Sequence, residues 1–71
     1  MYRMLSGNQQ VALLELNEQA LTDTSLLIRL GSQWRRTVLS LERRGLVRRG
    51  RSAWVITPDG REVVRETGSD D

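Results

Sequence analysis

Cysteine and histidine are both absent from this 71-residue chain. Without cysteine no disulfide can staple the fold, and no thiolate can act as nucleophile or metal ligand. Without histidine the common zinc ligand sets are gone, as are the commonest general base and triad partner. The remaining carboxylates show no cluster with metal-ligand or acid–base spacing. The expectation is therefore a non-enzyme with no cofactor and no evident small-molecule substrate. Phenylalanine is missing too, which leaves Trp34 and Trp54 as the bulky anchors for a core. No apolar run approaches a membrane span, and the first residues do not form a basic-then-apolar leader, so a cytoplasmic protein is expected. Lysine is also absent, and all 11 cationic side chains are arginine. Arginine is the better fork for phosphate and guanine, although GC-rich coding alone would give the same bias.

A net charge of +2 hides an uneven distribution. Arg29, Arg35, Arg36, Arg43, Arg44, Arg48, Arg49 and Arg51 face Glu42 alone across residues 29–51, a local balance of +7. Residues 1–28 carry −2 and residues 52–71 carry −3. A basic middle between acidic flanks points to one polyanion-binding surface rather than general stickiness.

The chain reads as one domain over residues 1–66, with a disordered acidic tail at 67–71. A domain this small has little stability to spare. Tyr2, Met4 and Leu5 could form an edge strand or a packing arm. Ser6 or Asn8 caps a first helix over about Gln9–Glu18, with Val11, Leu14 and Glu18 on one stripe and Leu13 and Leu16 widening its apolar side. Thr22 caps a second helix through the amides of Thr24 and Ser25; Leu26, Leu27 and Leu30 are its buried stripe, and Gly31 ends it. Ser32 then caps a third helix, Gln33 to about Arg44, after almost no connection. Trp34, Thr37, Val38 and Leu41 gather on one side of that helix, while Arg36, Ser40 and Arg43 point away with Leu39 beside them. Gly45 closes it. Leu46–Val47 enters a strand, Arg48–Ser52 is a basic tip, and Ala53–Ile56 returns. Thr57–Pro58 opens a last helix to about Glu66.

Helix, helix, turn, helix, hairpin, helix is the layout of a winged helix-turn-helix. The expected class is mainly α with a small β-hairpin, about four helices and a two- or three-stranded wing. Three segments carry a family resemblance as well. Thr22–Gly31 (TDTSLLIRLG) resembles the second helix of prokaryotic winged-helix regulators of the MarR and PadR kind. Leu41–Arg49 (LERRGLVRR) resembles their recognition-helix end and first wing strand, and Ile56–Glu62 (ITPDGRE) the segment after the wing. The resemblance covers roughly residues 10–66. Gly31 and Leu41 stand about a helical turn closer than in those families. Their flanking dimer helices have no counterpart here, so a homodimer would use the terminal segments or an exposed apolar face.

The resemblance implies a prokaryotic or phage transcription regulator, a repressor or architectural factor that occupies or bends double-stranded DNA. Its third helix would enter the major groove and its basic wing would hold phosphates. The candidate DNA-binding residues are Ser32, Gln33, Arg35, Arg36, Ser40 and Arg43 on the third helix, and Arg49, Arg51 and Ser52 on the wing. Each has a plainer reading, as a solvated helix face or a charged edge hairpin kept soluble. Arg48 and Arg49 must point to opposite faces of the strand, and Arg49 is the one paired with Arg51. Trp34 and Trp54 read as core anchors rather than base-stacking platforms. Leu39 is an outward leucine that fits a thymine methyl, a protein partner, or nothing at all. The main alternative is a winged-helix protein-interaction module whose partner is polymerase or another regulator. RNA binding ranks last, because no exposed aromatic platform is evident.

Overall fold

The first helix starts two residues earlier than its apolar pattern suggests, because Ser6 and Gln9 close a capping box. The Ser6 hydroxyl accepts from the Gln9 amide at 3.2 Å, and the Gln9 side chain accepts from the Ser6 amide at 2.8 Å. Two orphan donors are thus satisfied together. The computed structural model describes residues 5–68. In chain order it holds α1 (Gly7–Glu18), α2 (Asp23–Leu30), a 3₁₀ turn (Gly31–Gln33), α3 (Trp34–Arg43), β1 (Val47–Arg49), β2 (Trp54–Ile56) and α4 (Pro58–Gly68). The fold is mainly helical with a two-stranded antiparallel hairpin. No helix among the described residues is long and apolar enough to cross a membrane. Tyr2, Arg3 and Met4 lie outside the described residues, as do Ser69, Asp70 and Asp71 of the acidic tail; α4 runs on to Gly68.

One face of α1 needs correction. Ala12, Leu13 and Leu16 are buried, whereas Val11 and Leu14 are 45% and 47% exposed. Apolar residues stand nearly all round this helix, so their spacing alone selects no side. Packing selects the side where alanine allows close approach and where Gln9 meets Ser40 of α3. On α2 only Leu26 is buried and Leu30 half-buried; Leu27, expected inside, lies about 100° round the helix from Leu26 and is 47% exposed.

Thr22 caps α2 through the Ser25 amide at 3.1 Å. Gly31, at φ 81°, ends it and starts the 3₁₀ turn, whose Gly31 carbonyl accepts from the Trp34 amide. That turn displaces the expected Ser32 cap. No side chain caps α3, which begins at Trp34 rather than Gln33. As expected, Trp34, Thr37, Val38 and Leu41 are buried. Leu26 of α2 and Leu41 of α3, both 0% exposed, belong to the same core cluster. Full burial of a leucine side chain contributes about 1.5–3 kcal/mol.

The end of α3, the hairpin and α4 meet in one joint. Gly45 takes φ 79°, its amide donates to Glu42 O at 2.9 Å, and the Leu46 amide donates to Leu41 O at 3.0 Å. These are the paired bonds of a Schellman helix stop. The Thr57 hydroxyl donates to Gly45 O at 2.7 Å and accepts from the Gly60 amide at 3.0 Å, so one side chain ties the stop of α3 to the start of α4. The hairpin pairs Val47 with Ile56, Arg48 with Val55 and Arg49 with Trp54. A two-bond bridge from Leu21 to Trp54 adds one rung from the α1–α2 connection.

Candidate nucleic-acid interface

The inward stripe of α3 dictates its outward one. With Trp34, Val38 and Leu41 in the core, a period of about 3.6 residues turns Arg36, Leu39 and Arg43 to water. Arg35, Arg36, Leu39, Ser40 and Arg43 rim a single shallow depression on this face. Leu39, among its lining residues, is 39% exposed. The Arg35 guanidinium sits 5.3 Å from the centroid of the Trp34 ring, which restrains a side chain that would otherwise sweep freely. Ser40 is half-buried and accepts a hydrogen bond from Gln9 Nε2, so it braces α3 against α1 as well as facing outward. A second depression continues on the α1 side, where Gln33, Arg36 and Ser40 meet Ser6, Asn8 and Gln9. Arg36 and Ser40 belong to both, so the polar surface runs across the helix. Ser32 is exposed in the 3₁₀ turn.

The hairpin residues form a different group. Arg49 stands opposite Trp54, and its guanidinium lies 4.9 Å from the Trp54 ring centroid. That ring is only 3% exposed and is fixed by its Nε1–H donating to Asp23 Oδ1 at 2.9 Å. Arg49 therefore rests on a buried ring that is itself held by Asp23. The tip is closed by the Gly50 amide donating to Ala53 O at 2.7 Å. A Cβ on Gly50 would also stand 2.7 Å from that oxygen, so the turn needs glycine there. Arg49, Arg51 and Ser52 share a concavity with Thr22, Asp23 and Thr24 at the start of α2. Arg48, opposite Val55, points to the other side of the strand.

The candidate residues fall into two groups that the sequence did not separate. Gln33, Arg35, Arg36, Ser40 and Arg43 collect around α3, whereas Arg49, Arg51 and Ser52 collect around the α2 start. Asn8, Gln9 and Thr24 are neighbours that the sequence did not single out. The Thr22–Ser25 run was legible as a helix cap, and nothing in it signalled the hairpin nearby. Charge pairing separates the arginines further. Among the described residues, Arg29 pairs with Glu15 at 2.8 Å and Arg65 with Glu62 at 3.1 Å. Arg35, Arg36, Arg43, Arg49 and Arg51 are exposed and enter neither pair. The described carboxylates gather into no group able to hold a metal ion.

No protein-family model, no curated protein and no solved structure matches this chain.

Proposed function

We propose that the chain is a small winged helix-turn-helix DNA-binding regulator of prokaryotic or phage type. In this reading α2, the 3₁₀ turn and α3 are the helix-turn-helix, and β1–β2 with the Leu21 rung is the wing. The outward face of α3 enters the major groove, and Arg49 and Arg51 hold flanking phosphates from the hairpin tip. One observation supports this above the others. The exposed arginines of α3 and the hairpin form a run with no acid partner among the described residues, while Arg29 and Arg65 are paired and Arg61 stands as a single unpaired cation on α4. Unpaired like charges repel one another, and a surface that keeps them gains most from a polyanion.

A titration of mixed-sequence duplex DNA at several salt concentrations tests the reading. Arg35, Arg49 and Arg51, each neutralising one phosphate, give a log–log salt slope of roughly −3. Affinity then falls by about one to two orders of magnitude between ~50 and ~200 mM salt. No binding to duplex even at the low end would refute it.

A protein-interaction module is the second reading, and one feature favours it. Val11 and Leu14 are exposed on the face of α1 turned from the core, and Leu14 lines an apolar groove with Leu5 and Val64. Capture of a partner that survives nuclease treatment, together with indifference to duplex, would select it. Self-association on that face, measured by sedimentation against concentration, would fit a homodimeric DNA binder instead.

A further inference from the structure

Leu39 is an apolar side chain set among cations. It lines one depression with Arg35, Arg36, Ser40 and Arg43, and the helical period of about 100° per residue puts it between Arg35 and Arg43 round the axis. Other exposed apolar residues, such as Ile28 at 77%, stand outside this depression. A leucine in such a setting gains little from water, and a helix of that shape has a specific complement. The major groove is about 12 Å wide, close to the diameter of a helix with its side chains. Its walls are phosphate, and the apolar group on its floor is the C5-methyl of thymine. A methyl flanked by guanine acceptors on the floor, with phosphate at the wall, matches one leucine among cations.

We infer that Leu39 reads a thymine methyl in the major groove, with Arg36 and Arg43 on guanines to either side. This rests on the DNA-binding reading above and deepens it. Residues 36, 39 and 43 follow one stripe of α3. At ~1.5 Å of rise per residue, Leu39 lies about 4.5 Å along the axis from Arg36 and about 6 Å from Arg43. Base pairs repeat every ~3.4 Å, so the three side chains fall on positions roughly one to two steps apart. Arginine forks pair bidentately with guanine O6 and N7. The recognised core is therefore a thymine with a guanine about one step away on one side and about two on the other, on either strand. Arg35 is turned toward Trp34 at the edge of the face, where it meets the phosphate wall rather than the bases.

The test selects bound sites from a random duplex pool. The best site is then remade with deoxyuridine replacing one thymine at a time, which deletes only the methyl. At one position the native chain should lose about fourfold in affinity, the ordinary weight of a buried methyl group. Leu39→Ala should bind the thymine form about fourfold more weakly than the native chain and show no preference between thymine and deoxyuridine there. Its melting curve should match the native one, since Leu39 is outside the core. Indifference of the native chain to every replacement overturns the inference and leaves DNA binding standing. So does a preference that survives Leu39→Ala. Recovery of no duplex at all overturns the DNA reading and this inference with it.

Discussion

Gly60→Ala asks whether α4 sits as closely on the hairpin as the packing describes. A Cβ at Gly60 would stand 2.6 Å from Ile56 Cγ1 and 3.1 Å from the carbonyl carbon of Leu46, with the Leu46 oxygen nearer still. Carbon atoms pack at about 3.5–4.0 Å, so the shortfall is of the order of 1 Å. The Ile56 side chain could turn aside, but the Leu46 carbonyl is backbone, held by the Thr57 amide at 3.0 Å. The helix must therefore lift. Overpacking of this kind costs about 1–3 kcal/mol, with the upper end expected where backbone is displaced. Stretching the Thr57 cap on the Gly60 amide adds to the cost, so a total near 3 kcal/mol is expected. For a chain of 71 residues, at ~0.05–0.15 kcal/mol per residue, that is about a quarter of the whole stability or more. The melting temperature should drop by about 12–24 °C, at ~4–8 °C per kcal/mol for a domain of this size. Thermal melts followed by circular dichroism read this directly. Gly7→Ala is the control, because a Cβ there meets nothing within 4 Å; it should stay within ~0.5 kcal/mol of the native chain. If Gly60→Ala melts within ~3 °C of the native chain, the close seat of α4 is refuted.

Other substitutions separate scaffold from interface. Ser6→Ala removes half of the capping box and should cost ~1 kcal/mol in urea titrations, whereas Asn8→Ala should cost little. Trp54→Phe loses the bond to Asp23 and leaves a gap where the larger indole was buried, for a destabilisation of about 1.5–3 kcal/mol; an unchanged urea midpoint would deny that the indole is bonded and packed as described. Arg49→Ala should make the salt slope of DNA binding shallower by about 1 with a nearly unchanged melt, and an unchanged slope would remove Arg49 from the interface. Glu15→Gln should shift stability by less than ~1 kcal/mol, because both it and Arg29 are more than a third exposed; a larger loss would mean that the pair holds α1 to α2.

Local signals were the most legible part of the fold. Ser6, Thr22 and Thr57 cap helices, and Gly31 and Gly45 stop them, because those side chains and that positive φ act within a few residues. The buried stripe of α3 was equally clear, since Trp34, Thr37, Val38 and Leu41 leave no second apolar face. The face of α1 was not legible, because Val11, Ala12, Leu13, Leu14 and Leu16 point in most directions. The Ser32 cap failed because a positive φ at Gly31 leads into a 3₁₀ turn before α3 begins. At the candidate interface the outward arginines followed from periodicity. The stacking of Arg49 on Trp54 did not, because it depends on strand register and on Asp23, 31 positions away along the chain.

The order of residues alone decided that this chain has helices joined by glycine stops, an arginine-rich middle, and no thiol or imidazole for chemistry. Those properties live in single residues and their near neighbours, where backbone torsion and charge act without help. Tertiary packing decided which apolar residues stay in water, which arginines find acids, and that the hairpin cations lie beside the first turn of α2. Such matters turn on contacts between segments far apart in the chain, where burial and geometry choose among local options of nearly equal energy.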